Sequence, residues 1–247
     1  MKTIISKFFF ALVLTIYVNT TFAQQEATNT FRFPFLPGDE LWQKYETHRE
    51  RVAALQIPAD ILPRLTTKEL LQVCLDYPYL LDFLFGDNLQ SGMEILFSDF
   101  NGFPELLKRK DAGSVFLEEC GNFTNLTKTF ESTTGKERGR YSFKEIVLGM
   151  LIAQDEIIDC IQEDQMKTLA ETMHENLSIK DLYPQTFSKM NKIPTYLFLA
   201  KSAIKRKIGV RMIETDKLLE IIKSPTLSNA EAIENSPELI TKIVKGI

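Results

Sequence analysis

Histidine is the scarcest reactive side chain in this 247-residue sequence, which contains only His48 and His174. That shortage excludes a metal or acid–base centre built on several imidazoles. His174 is followed by Glu175 but has no second histidine one helical turn away, so the zinc-helix pattern is absent. His48 sits in the charged run Glu46 to Arg51, where solvation accounts for it. Eleven glycines and ten prolines are too few for a turn-dense sandwich of many short strands. No Gly-x-Ser-x-Gly elbow occurs, and Gly135-Lys136 lacks the upstream glycine and the Ser or Thr of a phosphate loop. Cysteine is also sparse. Cys74, Cys120 and Cys160 make an odd count, each within an apolar helical pattern where cysteine acts as a small hydrophobe. Buried thiols are the expectation, and a single disulfide among the three stays open.

Long hydrophobic runs are missing beyond the first residues. The longest later candidate, Ile193 to Ile208, is interrupted by Lys201 and by Lys205-Arg206-Lys207, so no integral membrane span is expected. The beginning differs. Lys2 and Lys7 precede an apolar run from Phe8 to Val18 broken only by Thr15, and small side chains follow at Thr21 and Ala23. This is the pattern of an export signal, with cleavage expected after Ala23, and no cysteine there offers a lipid anchor. Residues 24–38 then read as a flexible tail leading into an extended segment. In it Phe31, Phe33 and Phe35 alternate with Arg32 and Pro34, placed to lay aromatic rings on the body or to dock a partner. The formal net charge of −4 includes Lys2 and Lys7, so the exported chain would be more acidic still. An acidic chain lacks the basic face that nucleic acid requires.

From residue 39 the apolar residues recur at helical spacing in short stretches divided by Pro and Gly. Asp39 is a candidate cap, and Thr66 with Glu69 forms a capping box before Leu70, Leu71 and Val73. Asn101-Gly102 and Gly121 read as helix stops. Phe123 to Tyr141, rich in threonine and glycine, reads as a long exposed loop that could divide the body (39–247) into two halves. Ser142 with Glu145 reads as a second capping box, opening one long helix from Phe143 to near Met166. A final helix is expected from Pro237. Ser236-Pro237-Glu238-Leu239-Ile240 echoes Phe103-Pro104-Glu105-Leu106-Leu107, which suits a stacked solenoid as well as an irregular bundle.

On the expected long helix Asp155, Asp159 and Glu163 are four apart, which would line three carboxylates along one face. They read as a solvated stripe, a contact for a basic partner, or a site for a divalent cation or acid–base chemistry. Their counterpart is the basic run Lys201, Lys205, Arg206, Lys207 and Arg211, which could meet an anionic surface, bridge to that stripe or face water. Asn122, Asn125 and Asn176 each begin an Asn-glycosylation pattern, relevant only in a eukaryotic secretory host.

Three stretches carry a resemblance. They are Glu69-Leu70-Leu71-Gln72-Val73-Cys74-Leu75-Asp76-Tyr77-Pro78, then Asn88 to Gly92, then Phe100-Asn101-Gly102 with Glu105 to Gly113. Together they resemble a group of secreted helical proteins of Bacteroidetes-type bacteria. The resemblance implies an all-α fold and a cell-envelope or extracellular setting, and it brings no activity.

The sequence thus predicts an all-α chain of short helices, in an irregular α-α superhelix or bundle behind a cleaved signal peptide. The expected function is non-enzymatic binding of another envelope or extracellular macromolecule, since stacked helices make concave surfaces. The alternative is an enzyme or cation-binding protein using Asp155, Asp159 and Glu163, and a purely structural module is a third reading. No catalytic, cofactor-binding or metal residue is assigned, and no cofactor is expected.

Overall fold

The structure, a computed structural model, describes residues 31–127, 130 and 133–247. The expected signal peptide and most of the tail, residues 1–30, lie outside them. Among the described residues there are thirteen α-helices and no strand. They are α1 (Glu40–Gln43), α2 (His48–Ala54), α3 (Thr67–Leu75), α4 (Leu89–Asp99), α5 (Gly102–Leu106), α6 (Ala112–Thr127) and α7 (Gly135–Ile152). After these come α8 (Asp155–Cys160), α9 (Glu163–Leu182), α10 (Ile193–Lys205), α11 (Met212–Lys223), α12 (Leu227–Glu234) and α13 (Pro237–Gly246). Short 3-10 turns occupy Leu62–Arg64, Leu80–Phe85 and Lys189–Lys192. No helix among the described residues is long and apolar enough to cross a membrane.

The architecture centres on α10. Every residue from Ile193 to Ala200 is buried. A helix that is apolar all round belongs inside, and α10 touches α7, α9, α11, α12 and α13. Each fully buried Leu or Phe here, such as Leu197 and Phe198, contributes about 1.5–3 kcal/mol relative to exposure.

Local chemistry sets many of the ends. The Thr66–Glu69 capping box is present as expected, with Glu69 N donating to Thr66 Oγ1 at 3.2 Å and Thr66 N to Glu69 Oε2 at 2.8 Å. Helix α4 stops at Asp99 because Asn101 and Gln56 tie the next residues down. Asn101 N donates to Gln56 Oε1 (2.9 Å), and the Asn101 amide exchanges bonds with the Ile57 backbone (3.0 and 2.8 Å). Asp39 starts α1 but its carboxylate accepts from Leu36 N instead of capping the helix, and a break before Thr47 separates α1 from α2.

Four expectations are corrected. Gly121 does not end its helix, which runs on to Thr127. Phe123 to Tyr141 is not one exposed loop. Phe123 and Phe130 are buried with Phe187 in a separate aromatic cluster joined by Tyr141 and Tyr183, with Phe130 5.4 Å from Tyr141 and 5.5 Å from Tyr183. The threonines and glycines around them conceal three aromatic anchors. Ser142 is no cap either, because α7 begins seven residues earlier, at Gly135, behind a Thr134–Glu137 box. Finally, the single helix expected from Phe143 to Met166 is three pieces. Gln154 and Ile161-Gln162 are extended, and α8 lies between these breaks. At the first break the buried Gln154 side chain donates to the Met150 carbonyl at 2.7 Å and pairs amide to amide with Gln90 of α4 at 3.2 Å. Ile161 then packs against the backbone of α6, where a Cβ on Gly113 would lie only 3.0 Å from Ile161 Cα.

The segment Phe31 to Phe35 places its rings on the body as one of its two readings required. Phe33 lies 5.6 Å from Phe100, and Phe35 lies 4.9 Å from Tyr45. The Arg51 guanidinium stacks 5.2 Å from the Trp42 ring and also donates to the Tyr45 carbonyl.

Candidate functional site

The acidic residues singled out by spacing do not share one helix, yet they meet one neighbour. Asp155 opens α8 and Glu163 opens α9, where a carboxylate opposes the positive helix end. Asp155 pairs with Lys201 at 3.2 Å, Asp159 pairs with Lys205, and Glu163 Oε2 accepts from Arg206 Nη2 at 2.8 Å. The bond from Arg206 holds the Glu163 carboxyl below its ordinary range. Of the readings open from the sequence, the geometry therefore brings together the acidic residues and three of the five basic ones. All three carboxylates are exposed and screened by water, so these contacts fix a seam more than they stabilise it.

A cleft of about 310 Å³ opens between α3, α6, α7, α9 and α10. Helical spacing builds it. Tyr141, Glu145, Leu148 and Ile152 form one stripe of α7, and Met173, Asn176 and Lys180 form one stripe of α9. Gly149 brings α7 against α10 at the cleft's edge, where an added Cβ would lie 2.7 Å from Pro194 Cβ.

The cleft's charges are matched. Lys180, 3% exposed, holds Glu145 at 2.5 Å and donates to the Asn191 carbonyl at 2.6 Å. Its ammonium also lies 5.8 Å from the Phe123 ring. Asn191 is fully buried. Its amide donates to Glu145 Oε2 (3.0 Å) and to the Ser142 carbonyl (2.9 Å), while its Oδ1 accepts from Ser188 N (3.0 Å). The ammonium thus has a carboxylate and a carbonyl as partners, and the carboxylate has the ammonium and the Asn191 amide, the bonding a buried ion pair requires. Lys144, at the rim, pairs with Asp76, and Glu119 has Lys68 at 3.9 Å.

The reactive groups are quiet. Burial, followed by the Glu145 charge, pushes the Cys120 thiol up to about 12, so it is no thiolate near neutral pH. Burial and then Glu145 also push the Tyr141 hydroxyl up, which keeps it protonated. Cys74, Cys120 and Cys160 are all free. Asn176 begins a glycosylation pattern but is buried, with its amide donating to the Cys120 carbonyl at 3.3 Å, so the folded chain does not offer it. Asn122 is exposed.

Comparison with protein-family models, with curated proteins and with solved structures finds no match. The sequence singled out Cys120, Glu145 and Asn176 among the residues lining the cleft, but as a buried thiol, a helix cap and a glycosylation pattern, never as parts of one site. Its lining comes from five elements, and the one local signal, the i, i+4 recurrence of Tyr141, Glu145 and Gly149, also describes any core-facing helix.

Proposed function

We propose that this chain is a non-enzymatic binding protein, exported by its first 23 residues, whose helical bundle holds an uncharged and largely apolar ligand in the cleft between α7 and α9. The observation that carries the reading is the cleft itself. It has the volume of a small-ligand site, and its charged groups already have partners of opposite charge. A charged ligand would leave an imbalance in a low-dielectric space, whereas an apolar one displaces water without breaking an ion pair. A quiet thiol and a lysine held by the Glu145 carboxylate and the Asn191 carbonyl support binding over chemistry. A cavity of this size fits a compact molecule or one projecting group of a larger partner, which narrows the macromolecular partner expected from the sequence. The alternative built on Asp155, Asp159 and Glu163 loses support, because each carboxylate already holds a basic side chain.

The test is titration with the uncharged fluorophore N-phenyl-1-naphthylamine. Saturable binding is expected, together with loss of at least tenfold in affinity in Leu148→Trp, which fills the cleft from its half-buried wall while the thermal midpoint is kept. Equal binding by the unaltered chain and this variant would place the dye elsewhere and remove the cleft from the account.

A further inference from the structure

A second constellation lies far from those helices in sequence and is independent of the cleft. His48 is the first residue of α2, Asp82 lies in the 3-10 turn Leu80–Phe85, and Asp99 is the last residue of α4. Folding brings His48 Nε2 to 3.4 Å from Asp82 Oδ2 and 3.8 Å from Asp99 Oδ2. One ligand atom from each residue lies within 4.8 Å of the other two. Donors bound at about 2.1 Å to a tetrahedral zinc ion stand about 3.4 Å apart, so a small rotation of side chains converts this cluster into a coordination set.

A second observation points to a ligand. The Tyr77 side chain is 2% exposed, and its hydroxyl has no hydrogen-bond partner among the described residues. The Tyr79 hydroxyl is likewise buried and unpartnered, and the Tyr79 ring packs 4.4 Å from the His48 ring. Burial, followed by the charges of Asp99 and Asp82, raises the Tyr77 hydroxyl above its ordinary range, which places it in the field of the cluster. Buried phenols are normally bonded. The Tyr79 ring against His48 places one of these unpartnered hydroxyl-bearing side chains directly beside the cluster.

We propose that His48, Asp82 and Asp99 bind one divalent transition-metal ion of the zinc or manganese class, with water completing its coordination. One imidazole nitrogen and two carboxylate oxygens suit such ions, and two negative charges on half-buried carboxylates match a double positive charge. The site joins α2, the turn and α4, and Phe31, Phe33 and Phe35 pack beside it through Tyr77 and Tyr45. Bound metal therefore ties α2 to the turn Leu80–Phe85 and to the end of α4.

The test is calorimetric titration of the untagged chain, stripped with chelator, with zinc chloride and manganese chloride. One equivalent is expected to bind, with a raised thermal midpoint. Asp99→Asn and His48→Gln should each weaken binding at least tenfold, while Asp155→Asn and His174→Gln leave it unchanged. Cobalt(II) added to the unaltered chain gives a readout that does not depend on a variant's folding, with visible bands of low-symmetry N,O coordination expected. Binding that survives both ligand substitutions, or cobalt that shows only its aqueous spectrum, would overturn the assignment and leave a histidine–carboxylate ion pair.

Discussion

Two sets of acid–base pairs in this protein use the same side-chain chemistry in opposite surroundings. On the seam between α8, the start of α9 and the end of α10, Asp155, Asp159 and Glu163 meet Lys201, Lys205 and Arg206 in water. In the cleft wall, buried Lys180 and Asn191 form a network with the largely buried Glu145. In the first set each partner could return to water at little cost. In the second, neither can. The buried set therefore ties α7, α9 and the turn Lys189–Lys192 into one arrangement, and the surface set only follows from that arrangement.

Breaking the buried set has the largest expected effect. Lys180→Met strands Glu145 and removes the donor to the Asn191 carbonyl, which should cost about 3–5 kcal/mol in urea unfolding. Lys180→Met with Glu145→Leu should cost less than Lys180→Met alone, because no charge is then left unpaired. A double variant as unstable as the sum of the two single ones would show that the network acts through its shape. By contrast, replacing Asp155, Asp159 and Glu163 together with Asn, Asn and Gln should move the thermal midpoint by no more than about 2 °C, and by less at high salt. A large loss there would mean that the seam orders α8 and erase the distinction.

The smallest expected effect is on pH dependence. Hydrogen bonds lower the carboxyls of Glu163 (from Arg206), Glu50 (from the Thr47 backbone) and Glu137 (from the Thr134 backbone) from their ordinary 4.5. A carboxyl depressed in the folded state contributes stability that is complete above its unfolded value and is lost as pH falls through the folded one. Stability should therefore be level from neutral pH down to about 5 and decline below 4.5, with a shallower decline in Glu137→Gln. A decline beginning near pH 6 would implicate a histidine instead.

Much of the helical content was legible because its signals are local. The box at Thr66 and Glu69, the proline that opens α13 and the continuous apolar stretch of α10 each act within a few residues. The same locality misled at Ser142 and Glu145, whose box spacing is real but whose side chains serve Asn191 and Lys180 inside α7. His48 is exposed, as its charged run implied, but its neighbours were not legible. Nothing in that run shows that Asp82 and Asp99 arrive beside it from other elements.

By itself the sequence determined that the chain is helical and where several of its helices start, since hydrophobic period, caps and breakers act through the backbone nearest to them. It also determined that the rings of Phe33 and Phe35 needed a surface to cover. Tertiary structure alone decided where the apparent long helix breaks, because Gln154 and Ile161 give up helical geometry for partners on α4 and α6. It alone decided that the three spaced carboxylates face three cations and that a cleft lies above Lys180. Each of these depends on side chains 40 or more residues apart meeting at a few ångströms, a distance that no local pattern encodes.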